Sequence, residues 1–292
     1  MKKITVVLFI SLFVTICCIA CGSTEETEKK VEEIKYSNLV SDSVQNKLKE
    51  IMSDSGISNE RQKKFFSHVN HFNANVPLEM LAKEFEILPI TESKYDSYEM
   101  QDEWMKASPN FMGYNCRITA FGLFADYLEL PITNKVNDEM ILMDLMSLEE
   151  DSSILMGEDE KSRFVELYST IPTTLTKDRE IHVRNLQENW QERGIEFIEN
   201  DKASLITVVF HESFTEDENY LFIGHVGVLF ENKDKIYFVE KIAFQEPYQL
   251  TEFENRTQLN EYLMAKYDIA FDQPTAAPFV MENNQLMEGY RK

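Results

Sequence analysis

Cysteine is scarce in this 292-residue chain. There are four, Cys17, Cys18, Cys21 and Cys116, and only the last lies beyond the N-terminal segment. One cysteine cannot build a disulfide framework, so the body of the protein must be held by a hydrophobic core. Basic residues are also few: 29 Lys and Arg against 51 Asp and Glu, a formal net charge of −22. That surface excludes nucleic acid and anionic head groups as electrostatic partners. There is no glycine-rich phosphate loop, no zinc-ligand spacing and no internal repeat. No cofactor and no metal is therefore expected. What is present is ordinary for a globular protein, with 43% hydrophobic and 12% aromatic residues. The charge thus does not signal disorder beyond the N-terminal segment.

The chain opens "MKKITVVLFISLFVTICCIACGSTEE": two lysines, an apolar run over residues 4–20, then small and polar residues. This is the three-part layout of a secretory signal. The run is under 18 residues, short for a spanning helix. Ala20 before Cys21, with Gly22 and Ser23 after it, resembles a bacterial lipobox, although Cys18 stands where leucine is usual. The reading is a signal peptide over 1–20, lipidation of Cys21, a polar tether over 21–36 and one domain over 37–292. The protein would then sit on the extracytoplasmic face of a bacterial cell membrane, its membrane partner reached through the N-terminal lipid.

Cys116 then stands alone. An unpaired thiol outside the cell is open to oxidation, unless it is buried as a small inert hydrophobe. In "FMGYNCRITAFGLFADYLELP" the apolar positions Ile118, Phe121, Phe124, Ala125 and Leu128 follow helical spacing, and Pro131 closes the segment. Asn115 is a good N-cap, which puts Cys116 at the first helical position. There the free N–H groups and the helix dipole favour a thiolate.

A thiol nucleophile needs a base held by a third group. Of the five histidines, His68 and His71 lie on an early helix and read as surface or boundary residues. His182 lies in a helix without special neighbours, and His211 reads as a strand-end residue and a weaker candidate. His225 lies in "YLFIGHVGVLFENKDKIYFVEKIAF", two strand-like runs around "ENKD", with Gly224 and Gly227 close by. Glycine weakens a strand, so something must approach here. A four-residue loop pairing Phe230 with Lys235 sets His225 directly opposite Glu240, on the same face. Glu240 can then orient the imidazole.

A cysteine opening a helix, a histidine in "GHVGVLFE" and a polar residue on the next strand are similar to the core of papain-like thiol hydrolases, most of all the NlpC-type branch. More narrowly, "YNCRITAFGLF" with "GHVGVLFENKDKIYFVEKIAFQEPYQ" resembles the bacterial lipoprotein domain-of-unknown-function family 4300. The papain-like resemblance implies Cys116 as nucleophile, His225 as base and Glu240 as orienting residue. Asn110 or Tyr114 would donate to the oxyanion beside the Cys116 N–H. It also implies a peptide or amide substrate, such as one derived from the cell wall, given what NlpC-type enzymes often cut. The branch usually carries Ser and Gly after its cysteine; here Arg117 and Ile118 follow.

The rest reads as support. Helices are expected in "DSVQNKLKEIM", around Phe65, in "PLEMLAKEFEI", "NDEMILMDLMSLEED", "DEKSRFVELYSTI", "DREIHVRNLQENWQERGIEF" and "NRTQLNEYLMAKYDIAF", with a strand over residues 205–210. Met140, Met143 and Met146 read as core or lip. The expected fold is α+β, papain-like, with helices packed on a small antiparallel sheet and an N-terminal helical layer. Two functions fit: a cysteine hydrolase or acyltransferase, and a non-catalytic surface binding or structural lipoprotein that keeps the frame. The enzyme reading requires the Cys116 sulfur within reach of a His225 nitrogen, in an open groove.

Overall fold

The computed structural model of the protein describes residues 32–287 except 91, 134, 135, 270 and 271. The signal segment, Cys21 and most of the tether lie outside the described residues. In chain order the strand and helices that begin the domain are β1 (Glu33–Ser37), α1 (Asp42–Asp54), α2 (Asn59–Ala74), β2 (Glu86–Pro89) and α3 (Ser97–Ala107). The cysteine helix α4 (Cys116–Phe124) follows, then β3 (Leu128–Glu129), α5 (Leu142–Glu150), α6 (Asp159–Tyr168), β4 (Ile171–Thr173) and α7 (Arg179–Glu192). The remainder is mostly sheet: β5 (Glu196–Phe197), β6 (Ala203–Ser213), β7 (Asn219–Asn232), β8 (Lys235–Lys241), β9 (Tyr248–Phe253), α8 (Arg256–Tyr267), β10 (Phe279–Glu282) and β11 (Gln285–Leu286).

The fold is α+β. Among the described residues its main sheet has nine strands, with the order β11-β10-β6-β7-β8-β9-β1-β2 and β4 added to β7, and β3 pairs with β5 apart from it. All its pairings are antiparallel. It is therefore much larger than the small sheet the sequence suggested. Two further expectations are corrected. The polar stretch read as tether ends in β1, where Ile34 and Tyr36 are buried. The helix expected in "PLEMLAKEFEI" is one 3-10 turn, Leu78–Met80, followed by β2. Tertiary pairing overrides local propensity there. The Ala82 N–H donates to Asn38 Oδ1, the Ala82 carbonyl accepts from the Asn38 N–H, and β2 pairs with β1.

Apolar side chains alternate along β7 and β8 and so build two cores. Val226, Val228, Phe230 and Val239 face a core shared with α1, α2, α4, α6 and α7. Leu229 and Phe238 face the other side, where Leu259, Tyr262 and Leu263 of α8 cover them. Each such buried side chain contributes on the order of 2–3 kcal/mol. Arg61 of α2 ties the helical layer together. It is buried, donates to the Gly122 carbonyl of α4 at 2.9 Å, and pairs with Asp126 at 2.7 Å and Glu160 at 2.6 Å.

One sheet feature positions the site. Along one edge β7 pairs with β8 through Gly227–Asn232 and with β4 through Asn219–Leu221. Among the described residues no strand pairs with 222–226 of that edge, between the two. The N-terminal end of α4 fills this gap: Arg117 Nη1 donates to the Ile223 carbonyl at 2.9 Å.

Candidate active site

Asn115 caps α4 as expected, its Oδ1 accepting from the Ile118 N–H at 3.1 Å. The cap leaves Cys116 at the first helical position, where the N–H groups of the first turn have no intrahelical acceptor. Gly113, at φ +95°, leads the chain into this turn. A Cβ at Gly113 would overlap the Phe244 carbonyl oxygen, so that position requires glycine on two counts. Gly113→Ala is expected to lower stability by about 2 kcal/mol or more, read as a fall in the urea midpoint. A midpoint within error of wild type would refute this close approach.

His225 reaches the gap through a β-bulge. Val208 of β6 pairs with His225 and Val209 pairs with Ile223, so Gly224 is the extra residue. Bulges bend a strand and re-aim its side chains. The register of β7 with β8 differs from the expected one. Asn232 pairs with Lys235 around a two-residue turn, with Lys233 at φ 57°, so Gly227 and not His225 stands opposite Glu240. The shift is two residues, and an even shift keeps each side chain on its face. His225 therefore still meets Glu240, now as a diagonal neighbour: Nε2 donates to Oε2 at 2.6 Å. The two glycines serve ring packing. A Cβ at Gly224 would strike the Phe210 ring, and one at Gly227 the Phe238 ring.

Glu240 is held from its other oxygen. Oε1 accepts from the Tyr262 hydroxyl at 2.5 Å and from Gln249 Nε2 at 3.1 Å. With Nε2 committed to Glu240, Nδ1 is the ring nitrogen of His225 left for another partner, and Cys116 lies close enough for the two groups to be electrostatically coupled. Tyr267 stacks on the imidazole at 4.8 Å between ring centroids. Burial opposes a charged His225, but the Cys116 thiolate and Glu240 outweigh it and push His225 up to about 9. Burial likewise opposes the thiolate, yet His225 and then Arg117 hold Cys116 below its ordinary value. Both effects favour a thiolate–imidazolium pair.

Arg117, which departs from the branch's usual serine, is absorbed in a structural network. Its Nε and Nη2 donate to Asp144 at 2.7 and 2.6 Å, and Asn115 Nδ2 donates to Asp144 Oδ1 at 2.8 Å. Asp144 is fully buried on α5 and holds both the cap and the residue after Cys116. The sequence reading missed it. Its only signal was an acidic residue interrupting the inward face of "MILMDLMSL". Met143 and Met146, on the outward face of α5, are exposed.

The other singled-out residues lie elsewhere. Asn110 is exposed in the turn after α3. Tyr114 is buried, with its hydroxyl toward Ser153 and Asp151 and its ring against His68 and Phe111. Neither contributes a hydrogen bond to the site. His68 approaches Ser153, and His71 packs edge-on against Trp104. His182, expected to lack special neighbours, is fully buried between Thr173 Oγ1 and the Thr176 carbonyl, with its ring 4.4 Å from that of His211. His211 lies within β6 rather than after it. Among the described residues no three His, Cys, Asp or Glu side chains gather as a metal-binding group.

The triad is enclosed. Cys116 is 5% exposed, His225 2% and Glu240 1%. A cleft of about 1300 Å³ opens at the far end of β7, walled by Trp190, Phe197, Lys235 and Arg256, and includes none of the three. The structure thus gathers Cys116, His225 and Glu240 but encloses them, whereas the enzyme reading requires an open groove beside Cys116.

The chain belongs to the family described as a domain of unknown function, DUF4300, whose model matches residues 35–287. No curated protein and no solved structure matches the chain.

Proposed function

We propose that the protein is a membrane-anchored extracytoplasmic lipoprotein whose Cys116, His225 and Glu240 act as a papain-like thiol hydrolase or acyltransferase on a peptide or amide, such as one derived from the cell wall. The observation that supports this reading is the His225–Glu240 hydrogen bond together with a cysteine at a capped helix N-terminus that is electrostatically coupled to the imidazole. A cysteine that serves only packing needs none of these partners. In the reaction the Cys116 thiolate attacks the carbonyl carbon and a C–S bond forms. His225 gives its proton to the leaving amine as the C–N bond breaks. Water or an acceptor amine, deprotonated by His225, then attacks the thioester and returns the thiol. Glu240 keeps the imidazole oriented and stabilises its charged form. The N–H groups at the start of α4 face the developing oxyanion.

The enclosure of Cys116 does not meet the open-groove requirement of the enzyme reading, so catalysis requires the site to open. It favours a second reading, a non-catalytic binding or structural lipoprotein that keeps the same frame. The pH dependence of iodoacetamide alkylation separates the two, measured on the protein lacking residues 1–21, with and without His225→Ala. The enzyme reading expects alkylation to persist below pH 7 and to slow in the variant. Alkylation that follows an ordinary thiol near pH 8.5 and ignores the variant would leave the non-catalytic reading.

A further inference from the structure

We propose that the buried pair His182 and His211 is an acid-sensitive latch: with both rings neutral it holds the chain before β10 against β6 at Ala276, and a second proton on His211 releases it. The latch lies apart from Cys116 and does not depend on the function proposed above. What it holds is the link from α8 to β10. Among the described residues after Tyr267, Ala276 is the first that is buried. Among the described residues 272–278, the Ala276 N–H makes the one hydrogen bond, to His211 Nδ1 at 3.0 Å. The hold on this link therefore passes through one imidazole.

The hydrogen bonds fix both tautomers. Asn185 Nδ2 donates to Thr173 Oγ1 at 2.9 Å, which leaves the Thr173 hydroxyl proton for His182 Nδ1 at 2.8 Å. His182 Nε2 meets the Thr176 carbonyl at 2.9 Å, and a carbonyl only accepts, so Nε2 carries the proton of that ring. At His211 the backbone N–H of Ala276 only donates, so Nδ1 carries no proton and the neutral ring is protonated on Nε2. That nitrogen is buried, and no acceptor stands in hydrogen-bonding geometry to it. A second proton can bind His211 only at Nδ1, where it turns the acceptor of the Ala276 bond into a donor. The charged ring and the latch bond are mutually exclusive.

The surroundings offer a cation little. Both rings are buried, with their centroids 4.4 Å apart. The groups acting on His211 are His182 of α7, Asn219 of β7 and the Thr176 carbonyl, and of these only His182 titrates. Asn219 spends its Nδ2 on the Thr215 and Glu216 carbonyls. Glu212, the next residue of β6, points to the other face of the sheet. Asp178 is engaged as the cap of α7, accepting from the Glu180 N–H at 3.0 Å. Arg179, one turn before His182, adds only like charge. Burial and then His182 hold His211 below its ordinary 6.5, against the Asn219 side chain and the Thr176 carbonyl. A histidine held down in this way stabilises the fold above 6.5, and that contribution is lost as pH falls through the lower, folded value.

The test is the protection of the Ala276 amide from hydrogen exchange, corrected for the intrinsic pH dependence of the rate, from about pH 7.5 to about pH 4.5. Protection should fall on the order of tenfold or more across that range, while the Val228 amide in the middle of β7 keeps its own. Protection at Ala276 that stays constant overturns the latch. So does a parallel loss at Val228, which would be acid unfolding of the whole domain. His211→Gln replaces the ring by an acceptor that does not titrate, and a pH-dependent loss at Ala276 that survives in this variant also overturns it. Should the variant not fold, NMR titration of the wild-type imidazoles decides. His211 should titrate below 6.5, at the pH where Ala276 loses protection, and a midpoint at 6.5 or above, or one that Ala276 ignores, overturns the inference.

Discussion

Asp144→Ala is expected to cost the fold about 3–5 kcal/mol, the range for removing one partner of a buried ion pair. The reason lies in the three hydrogen bonds that converge on this one carboxylate, two from Arg117 and one from Asn115. Without Asp144 the Arg117 guanidinium is left largely buried, with only the Ile223 carbonyl as acceptor. The Asn115 side chain loses the bond that sets its rotamer, so the cap at Ile118 weakens as well. Urea unfolding, with Asp144→Asn as a partial replacement, checks the expectation. Asp144→Ala should lose most of a typical domain's margin, and Asp144→Asn less. A loss under about 1 kcal/mol for the alanine variant would show that the pair behaves as a surface salt bridge and does not anchor α4.

The second large effect is expected at Glu240. Glu240→Ala removes the acceptor of the His225 Nε2 proton and leaves the Tyr262 hydroxyl without its carboxylate. The imidazolium then loses a stabilising charge and Cys116 reverts toward an ordinary thiol. Alkylation of Cys116 at pH 6 should slow by about 10–100-fold, since each unit of thiol pKa is a factor of ten in thiolate. Glu240→Gln gives a separate check on stability. Burial raises the Glu240 carboxyl, but His225 outweighs it, so its folded value lies below the usual 4.5. A depressed carboxylate contributes stability that is present above 4.5 and lost as pH falls through the folded value. Wild type should therefore lose this contribution on acidification below about pH 4.5, and Glu240→Gln should lack that part of the slope. For His225 the sign reverses. Its value is raised from 6.5 to about 9, so its contribution is present below 6.5 and lost as pH rises through 9. Parallel acid limbs in wild type and Glu240→Gln would mean that Glu240 is not ionised in the fold.

The parts of this site that depend on local chemistry were legible in the sequence. Asn115 before Cys116 announces a cap, and the structure starts α4 there. The parity of β7 against β8 was legible too, because alternating apolar residues fix which side chains share a face. The loop length was not. Lys233 takes a left-handed backbone that lysine rarely adopts, and the turn closes with two residues instead of four. Because the difference is even, the His225–Glu240 contact survived an incorrect register. Asp144 was illegible for another reason. Its partners lie 27 and 29 positions away, and an acid on the inward face of α5 was the only local sign of it. The size of the sheet was hidden likewise, since β1 and β2 take their order from partners far along the chain.

The gap in β7 has a consequence for assembly. A strand stretch without a partner is a template for another chain. Between β4 and β8, residues 222–226 would be such a template if α4 did not sit there with Arg117 on the Ile223 carbonyl. The helix that carries the thiol thus also covers that stretch of strand edge. One element therefore guards two things: a chain in which α4 loosened would uncover the Cys116 sulfur and an unpaired strand edge together.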